Sequence, residues 1–510
     1  MGAFAFAPDN PGPADVVPSP HMSDQQSPAP FSIQNAAAAE MIHNNFRIGF
    51  APEVEEQVAA IRREPAELPN DCKSLLWSSI DNDTSRDLDQ VEYAERTPDG
   101  IRVLVGIANV AGTVAKDSPI DRHAADQTLT VYTAVHNFPM LPLELSTDLT
   151  SLNEDRPRSA VVVEFTVTPD GQRTRTRIYE AEVLNHAQLA YSRVGPWLEG
   201  TADPDAKVAA DADLQSQLKL QDEAAHALHA LRVRNGALEF NRSEADPIVL
   251  DGVIHGIRTA THNRAMDLIE ELMIASNETM AQTLRQAGRS CIRRIVQVPA
   301  RWDRIVELVA RHGTQLPPTP DAAPLNAFLQ AQRAADPDRY PDLALSVIKL
   351  MGPGQYVLAK GVPGPNDPLQ GHFGLAAQDY AHSTAPNRRF VDLVTQRIVK
   401  AFLAGEPPPY TDDELTAIAA RCLEREGAAR KVERAMIKRV AAVALTGSIG
   451  KSFRGVVVGA TGKGTYVRIF DPPVEGRIIR NEQGLDVGDT VNVNLVHTDP
   501  AHAYIDFARA

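Results

Sequence analysis

Cysteine is scarce in this chain of 510 residues: Cys72, Cys291 and Cys422 are the whole complement. They are odd in number, far apart and in no C-x-x-C pair. That argues against a disulfide framework and a structural zinc site and fits a reducing cytoplasm. The sequence lacks any apolar run of roughly 18 residues, so no membrane span is expected. Its opening, MGAFAFAPDNPGPADVVPSP, has neither a basic n-region nor a proper apolar h-region and does not read as a signal peptide. Basic residues are in deficit, 51 Lys and Arg against 66 Asp and Glu, for a net charge of −15. A general basic coat for nucleic acid is therefore absent, although a local basic groove is compatible with the sum. Apolar residues at 43% and charged residues at 23% exclude a disordered or fibrous chain. The length suits one very large domain or two to four ordinary ones.

Composition shifts along the chain mark its parts. Residues 1–30 are rich in Pro, Ala, Ser and Asp, which reads as a flexible tail. Residues 31–70 form a small helical segment, with "NAAAAEMIHNNF" and "PEVEEQVAAIRR" separated by Gly49 and Pro52. It either packs onto the next domain or serves as a small nucleic-acid-binding module. Residues 71–445 read as a large α+β block. "SLLWSSID", "RVLVGIANVAGTV", "SAVVVEFTVT" and "TRTRIYEAEV" are strands, the last two joined at Asp170-Gly171. Helical patterns follow at about 211–235, 262–287, 300–312, 322–333, 342–350, 388–403 and 411–445. Residues 446–510 switch to five short strands with Gly, Asp and Pro between them, the signature of a small closed barrel of the OB type.

The densest chemistry lies in "SIDNDTSRDLDQVEY", where Asp81, Asp83, Asp87 and Asp89 fall within nine residues and Gln90 follows. Packed carboxylates repel one another unless a divalent cation compensates them. Hard oxygen donors suit Mg²⁺ or Mn²⁺. A solvated turn explains such a run as well. An EF-hand does not, since the loop glycine and closing glutamate are missing. Far away, Pro386 precedes a helix that opens with Arg388 and Arg389. Paired guanidinium groups suit bidentate phosphate recognition, and equally a salt-bridged surface pair. In the C-terminal strands Phe453, Tyr466, Arg468 and Arg477 could stack bases and hold phosphates, with Phe453 also suited to the core. Lys463 lies in a Gly-rich turn that is not a P-loop.

These stretches together resemble the ribonuclease II/R family, whose catalytic module is the RNB domain. "SIDNDTSRDLD" resembles its acidic motif, "VGIANV" the next strand and "VYTAVHNFPMLPLELSTDLTSLNEDRPRSA" the loop after it. "IEELMIASNE" resembles its E-E-x-M-x-x-x-N helix, and "GHFGLAAQDYAHSTAPNRRFVD" its H-F-G-L…Y…T-S-P-I-R-R-Y stretch. The C-terminal barrel resembles the S1-type domain that often follows.

The resemblance implies a metal-dependent 3′-to-5′ exoribonuclease that degrades single-stranded RNA processively to nucleoside 5′-monophosphates. It implies Asp81, Asp87, Asp89 and Gln90 as metal ligands, holding two Mg²⁺ or Mn²⁺ ions. Asp89, Asp87 and Arg388 would be catalytic. Tyr132 would pack on the 3′-terminal nucleotide, or be a core tyrosine instead. Glu271, with Glu270 beside it, would lie near the terminal ribose. Arg388, Arg389, Phe453, Tyr466 and Arg468 would complete the RNA contacts. A cytoplasmic monomer with RNA as partner and no membrane is expected. The sequence departs from the pattern at Gln90 (usually a fourth aspartate), Asn109 (usually Asp), Ala385 and Asn387. It also has no room for the usual two N-terminal cold-shock domains. An RNA-binding protein of the same fold that has lost its chemistry therefore stays open as an alternative.

Overall fold

In the computed structural model, the described residues are 31–61, 68, 70–240, 245–250, 253–259, 262–299, 301–337, 339–361, 371–462 and 464–510. The tail expected over residues 1–30, and Lys463, lie outside them. Two short helices come first, α1 (Ile33–His43) and α2 (Pro52–Ala60). Pro52 opens the second, where its missing N–H is no loss.

A barrel follows. Strands β1 (Trp77–Asp81), β2 (Gln90–Thr97) and β3 (Gly100–Ala108) come before helix α3 (Pro119–Gln127) and a two-rung hairpin, β4 (Val131–Tyr132) with β5 (Asn137–Phe138). Then come β6 (Pro157–Val167) and the long β7 (Arg173–Ala190). The order β1-β2-β3-β6-β7 closes on itself, because β7 returns parallel to β1 with Trp77 opposite Asn185 and Asp81 opposite Ala190. Closure removes both sheet edges. Both faces of the sheet are buried, with Trp77 and Val91 beside Gly106 on one and Val103, Val105, Val161, Val163 and Phe165 on the other. The β6–β7 turn bears out the Asp170-Gly171 reading. Gly171 has φ +87°, and a Cβ there would fall 2.1 Å from the carbonyl oxygen of Ala227.

Helices wrap this barrel: α4 (Tyr191–Leu198), α5 (Ala206–Ala210), α6 (Ala212–Arg234) and, after a hairpin of β8 (Ala245–Leu250) and β9 (Val253–Thr259), α7 (Arg264–Gln286). Asn263 caps α7, its side chain accepting from the N–H groups of Ala265 and Met266. A second core holds α8 (Trp302–Ala310), α9 (Ala322–Ala335) and α10 (Tyr340–Met351) around Ile305, Leu325 and Val347. Strands β10 (Cys291–Ile295) and β11 (Gln355–Ala359) pair with each other, and their Cys291, Ile292, Tyr356 and Ala359 join the main core. Helix α11 (Phe390–Leu403) is buried along most of its length. Helix α12 (Asp412–Leu445) starts from a complete Thr411/Glu414 capping box. Its 34 residues extend about 50 Å.

The C-terminal strands β12 (Ser452–Thr461), β13 (Gly464–Ile469), β14 (Glu475–Arg480), β15 (Thr490–Asp499) and β16 (Tyr504–Arg509) close a second barrel in the order β12-β13-β14-β16-β15. Val467, Ile478, Val493, Leu495 and Phe507 fill it. The α+β architecture with a small all-β barrel at the C-terminus is as expected. Among the described residues no helix is long and apolar enough to cross a membrane.

Candidate active site

The acidic loop runs from the end of β1 to the start of β2. Asp81 is the last residue of β1, and its Oδ1 accepts from the Asn82 N–H at 2.7 Å and the Ser85 hydroxyl at 2.9 Å. Asp83 is exposed and accepts from the Ser192 hydroxyl at 2.8 Å. Leu88 is fully buried in the main core. In extended backbone that places Asp87 and Asp89 together on the other side.

Asp89 is 1% exposed. Its Oδ1 accepts from the Asn387 backbone N–H at 3.1 Å. Its Oδ2 lies 3.2 Å from the Arg388 Nε yet makes no hydrogen bond. Burial pushes its pKa up to about 7, against the opposing pull of Arg388. Burial raises Asp87 as well. The Tyr132 hydroxyl reaches Asp87 Oδ2 at 3.4 Å, and the Tyr132 ring is 39% exposed. Residues about 300 positions apart thus converge: Asp87 and Asp89, Tyr132, and the 385–389 turn.

That turn is fixed from several sides. The Ala385 carbonyl accepts from the N–H groups of Arg388 and Arg389. The Arg388 carbonyl accepts from Thr130 N–H at 3.0 Å, and the Thr128 carbonyl from Phe390 N–H at 2.8 Å. Arg388 leaves 45% of its side chain exposed beside Asp89. Arg389 is committed elsewhere: it forms a bidentate pair with the fully buried Asp392, at 2.7 and 2.8 Å. Its part is to start α11.

The oxygen donors of Asp81, Asp87 and Asp89 have the chemistry that Mg²⁺ or Mn²⁺ prefers. The buried, unbonded Oδ2 of Asp89 is a group a cation would satisfy. Among the described residues, the one trio of acidic, His or Cys side chains with ligand atoms within 4.8 Å of one another is different: the exposed His262, Asp267 and Glu270. The three aspartates are spread more loosely. Gln90 is buried at the head of β2, and strand alternation sets it on the face opposite Asp89.

Other expected residues take different places. Glu271 is drawn into an ion cluster. Arg232 bonds it through Nε at 2.8 Å and through Nη2, and His229 Nδ1 bonds it at 2.8 Å. Burial opposes its charge, but those bonds outweigh burial and hold its pKa below the usual range. Bonds to Glu239 and Glu271 push His229 up to about 10. Glu270 instead lies seven residues before Asn277 and so on the same face of α7. That face meets Ser383 and Thr384, since Asn277 bonds both. Asn109 caps the turn after β3, bonding Ser159, Glu180, Gly112 and Lys400 at 2.8–3.1 Å.

In the C-terminal barrel Tyr466 and Arg477 are cross-strand partners and share a face, with Arg468 two residues along. Phe453 packs edge-on against Phe507 at 6.3 Å and belongs to the core's margin. Tyr504, 57% exposed and stacked on His502, escaped the sequence reading, although an aromatic in "AYIDF" was a usable signal. The Asn387 amide donor carries no sequence signal, since any non-proline residue has one.

The RNB domain matches residues 70–405, about two-thirds of the chain, and the RNase II-type exonuclease C-terminal S1 domain matches residues 451–510. The chain belongs to the RNB family. Ribonuclease R of Escherichia coli K12 is 30% identical over 445 residues, covering 83% of this chain and 53% of that protein. The chain spans between half and three-fifths of the length of such curated relatives. Mycoplasma genitalium RNase R, solved in complex with ribose methylated single-stranded RNA, superposes with a TM-score of 0.83 at 22% identity, over 94% of this chain and 78% of that one. Yeast Ssd1, described as a pseudonuclease, superposes with a TM-score of 0.69 at 16% identity, over 90% and 57%. The same fold is therefore found in an RNase R and in a protein described as a pseudonuclease. The side chains at the acidic loop and the 385–389 turn have to decide between them.

Proposed function

We propose that this RNB protein is a divalent-metal-dependent exoribonuclease that degrades single-stranded RNA from its 3′ end, processively, to nucleoside 5′-monophosphates. The observation that carries the reading is the convergence of Asp87, Asp89, Arg388 and Tyr132. Asp81, Asp87 and Asp89 are the groups that would hold the cation. Bound there, it would supply the charge that activates water and stabilises the leaving 3′ oxygen.

The remaining roles belong to the chain's own groups. The Asn387 amide keeps the Asp89 carboxylate in one orientation. Arg388 presents a half-exposed guanidinium where negative charge develops on the phosphate. The Tyr132 ring offers a sequence-tolerant stacking face for the last base. Glu270 rather than Glu271 is the carboxylate free to meet a ribose. Tyr466, Arg468 and Arg477 of the S1-type barrel would hold the strand upstream, making binding salt-dependent. The working division is a catalytic unit over residues 71–445 and an RNA-holding barrel over 446–510. The protein would act as a cytoplasmic monomer, a compartment that suits three cysteines none of which is paired.

The non-catalytic reading draws on the neutral Gln90. A time course on RNA labelled at either end, with Mg²⁺ or Mn²⁺ and with Asp89→Asn as control, separates the two. Immediate release of the 3′ label as mononucleotide, absent in the control, supports the exonuclease. A gel shift without cleavage under either metal refutes it.

A further inference from the structure

One core cluster lies apart from the catalytic barrel and joins three distant parts of the chain. Ile33, Ala37 and Met41 of α1, with Phe46 just beyond it, are buried together with Val131 and Phe138 and with Val432, Met436 and Val440 of α12. Val131 and Phe138 are cross-strand partners in the β4–β5 hairpin. They form its buried side, and Tyr132 is displayed on the other.

A hairpin of two rungs cannot hold itself in water. Its stem is tied by backbone bonds to the Arg388 turn. Its apolar backing is the N-terminal segment and α12.

Polar bonds pin that backing. The Arg425 guanidinium, 2% exposed, donates to the carbonyls of Asn44 at 3.3 Å and Asn45 at 3.0 Å, and lies 3.6 Å from the Phe46 ring centre. Gln127, at the end of α3 and just before the hairpin, exchanges two bonds with the Arg47 backbone at 3.0 and 3.2 Å. Arg439 pairs with Glu40 at 2.9 Å, and Arg47 with Asp126 at 2.8 Å. Glu40 thus faces protein, and Arg47 is committed to Asp126 although 63% of its side chain stays exposed. Helix α1 itself carries no Lys or Arg with which to follow a phosphate backbone.

We propose that residues 33–47 are a positioning element: they fix the hairpin that carries Tyr132, and so set the length of RNA left undegraded without gripping RNA themselves. The inference rests on the proposed role of Tyr132 at the last base. Asp89 is held by the Asn387 amide and the Arg388 turn by its own bonds to the Ala385 carbonyl, so turnover on long RNA should persist while the final steps on short RNA suffer.

The test uses the full chain with Met41→Ala, Phe46→Ala and their combination, read on 5′-labelled single-stranded RNA beside Tyr132→Ala. The expected result is a longer, more heterogeneous end product and a raised KM for oligonucleotides near the end-product length. Turnover on saturating long RNA should be unchanged, and Met41→Leu should restore the parent end product. If the double variant does not fold, the single Met41→Ala carries the test. An unchanged end product in these variants, with Tyr132→Ala altering it, overturns the inference. Tyr132→Ala leaving the end product unchanged overturns the reading of Tyr132, and the inference with it. Weaker binding of long RNA with an unchanged end product would make the segment an RNA contact, which also overturns it.

Discussion

Replacing Asp89 by Asn should abolish RNA hydrolysis and yet make the metal-free protein more stable above neutral pH. The carboxyl is 1% exposed, and burial raises its pKa from 3.8 to about 7. The folded state therefore holds this proton more tightly than the unfolded chain does. The contribution to stability is fully present below about pH 4 and is lost as the pH rises through about 7. At about 1.4 kcal/mol for each tenfold change in proton affinity, ionising Asp89 within the fold costs roughly 4 kcal/mol. Asparagine keeps the shape and can still accept from the Asn387 amide, but it never ionises. Chemical unfolding in a chelating buffer should give equal stability for parent and variant near pH 4. Near pH 8 the variant should lead by roughly 2–4 kcal/mol. Adding Mg²⁺ near pH 8 should stabilise the parent and leave the variant unmoved. Parent stability that is flat between those pH values, or a variant weakened equally at both, would refute the argument that a buried carboxylate only partly offset by Arg388 waits there for a cation.

Three further outcomes follow from the geometry. Arg388→Lys keeps a charge near Asp89 but loses the planar fork, so turnover on single-stranded RNA should fall about a hundredfold with little change in binding. Glu271→Gln removes the partner of Arg232 and His229 and should destabilise the fold by about 3–5 kcal/mol near pH 7 in thermal unfolding; preference for RNA over DNA should not change. Asn109→Asp, which recreates the family's usual residue, would set a carboxylate against Glu180 Oε2, now 2.8 Å from the Asn109 amide nitrogen; a melting experiment should show a loss of about 1–3 kcal/mol, without a gain in hydrolysis.

Much of this was legible because local patterns agree with tertiary ones. The five C-terminal strands and the long helices appear near their expected positions, since turn residues and apolar periodicity bound them. Strand β2 was not recognised: "QVEYAERT" is polar, and only its position between β1 and β3 makes it a strand. The closure of the first barrel was also hidden, since a parallel return from residue 185 to residue 77 leaves no local signal. Side-chain partners were the hardest to foresee. Arg388 and Arg389 are adjacent and identical in type, yet one faces Asp89 and the other is bound to Asp392. Glu270 and Glu271 divide in the same way, one turned toward the Asn277 face of α7 and the other into a buried ion cluster. Neighbouring residues on a helix point about 100° apart, so spacing alone cannot say which member of a pair serves the site.

The cluster that joins α1 to α12 also sets a clock on the ribosome. Phe46 leaves the exit tunnel long before Met436 has been made, and their 390-residue separation takes roughly 20–80 seconds to translate. Until then Met41 and Phe46, joined partway by Val131 and Phe138, lack the helix that covers them. The newborn chain therefore carries an open apolar patch around the future Tyr132 hairpin, a place for chaperones to bind or for neighbouring chains to stick. Premature termination anywhere before residue 432 leaves that patch permanently uncovered.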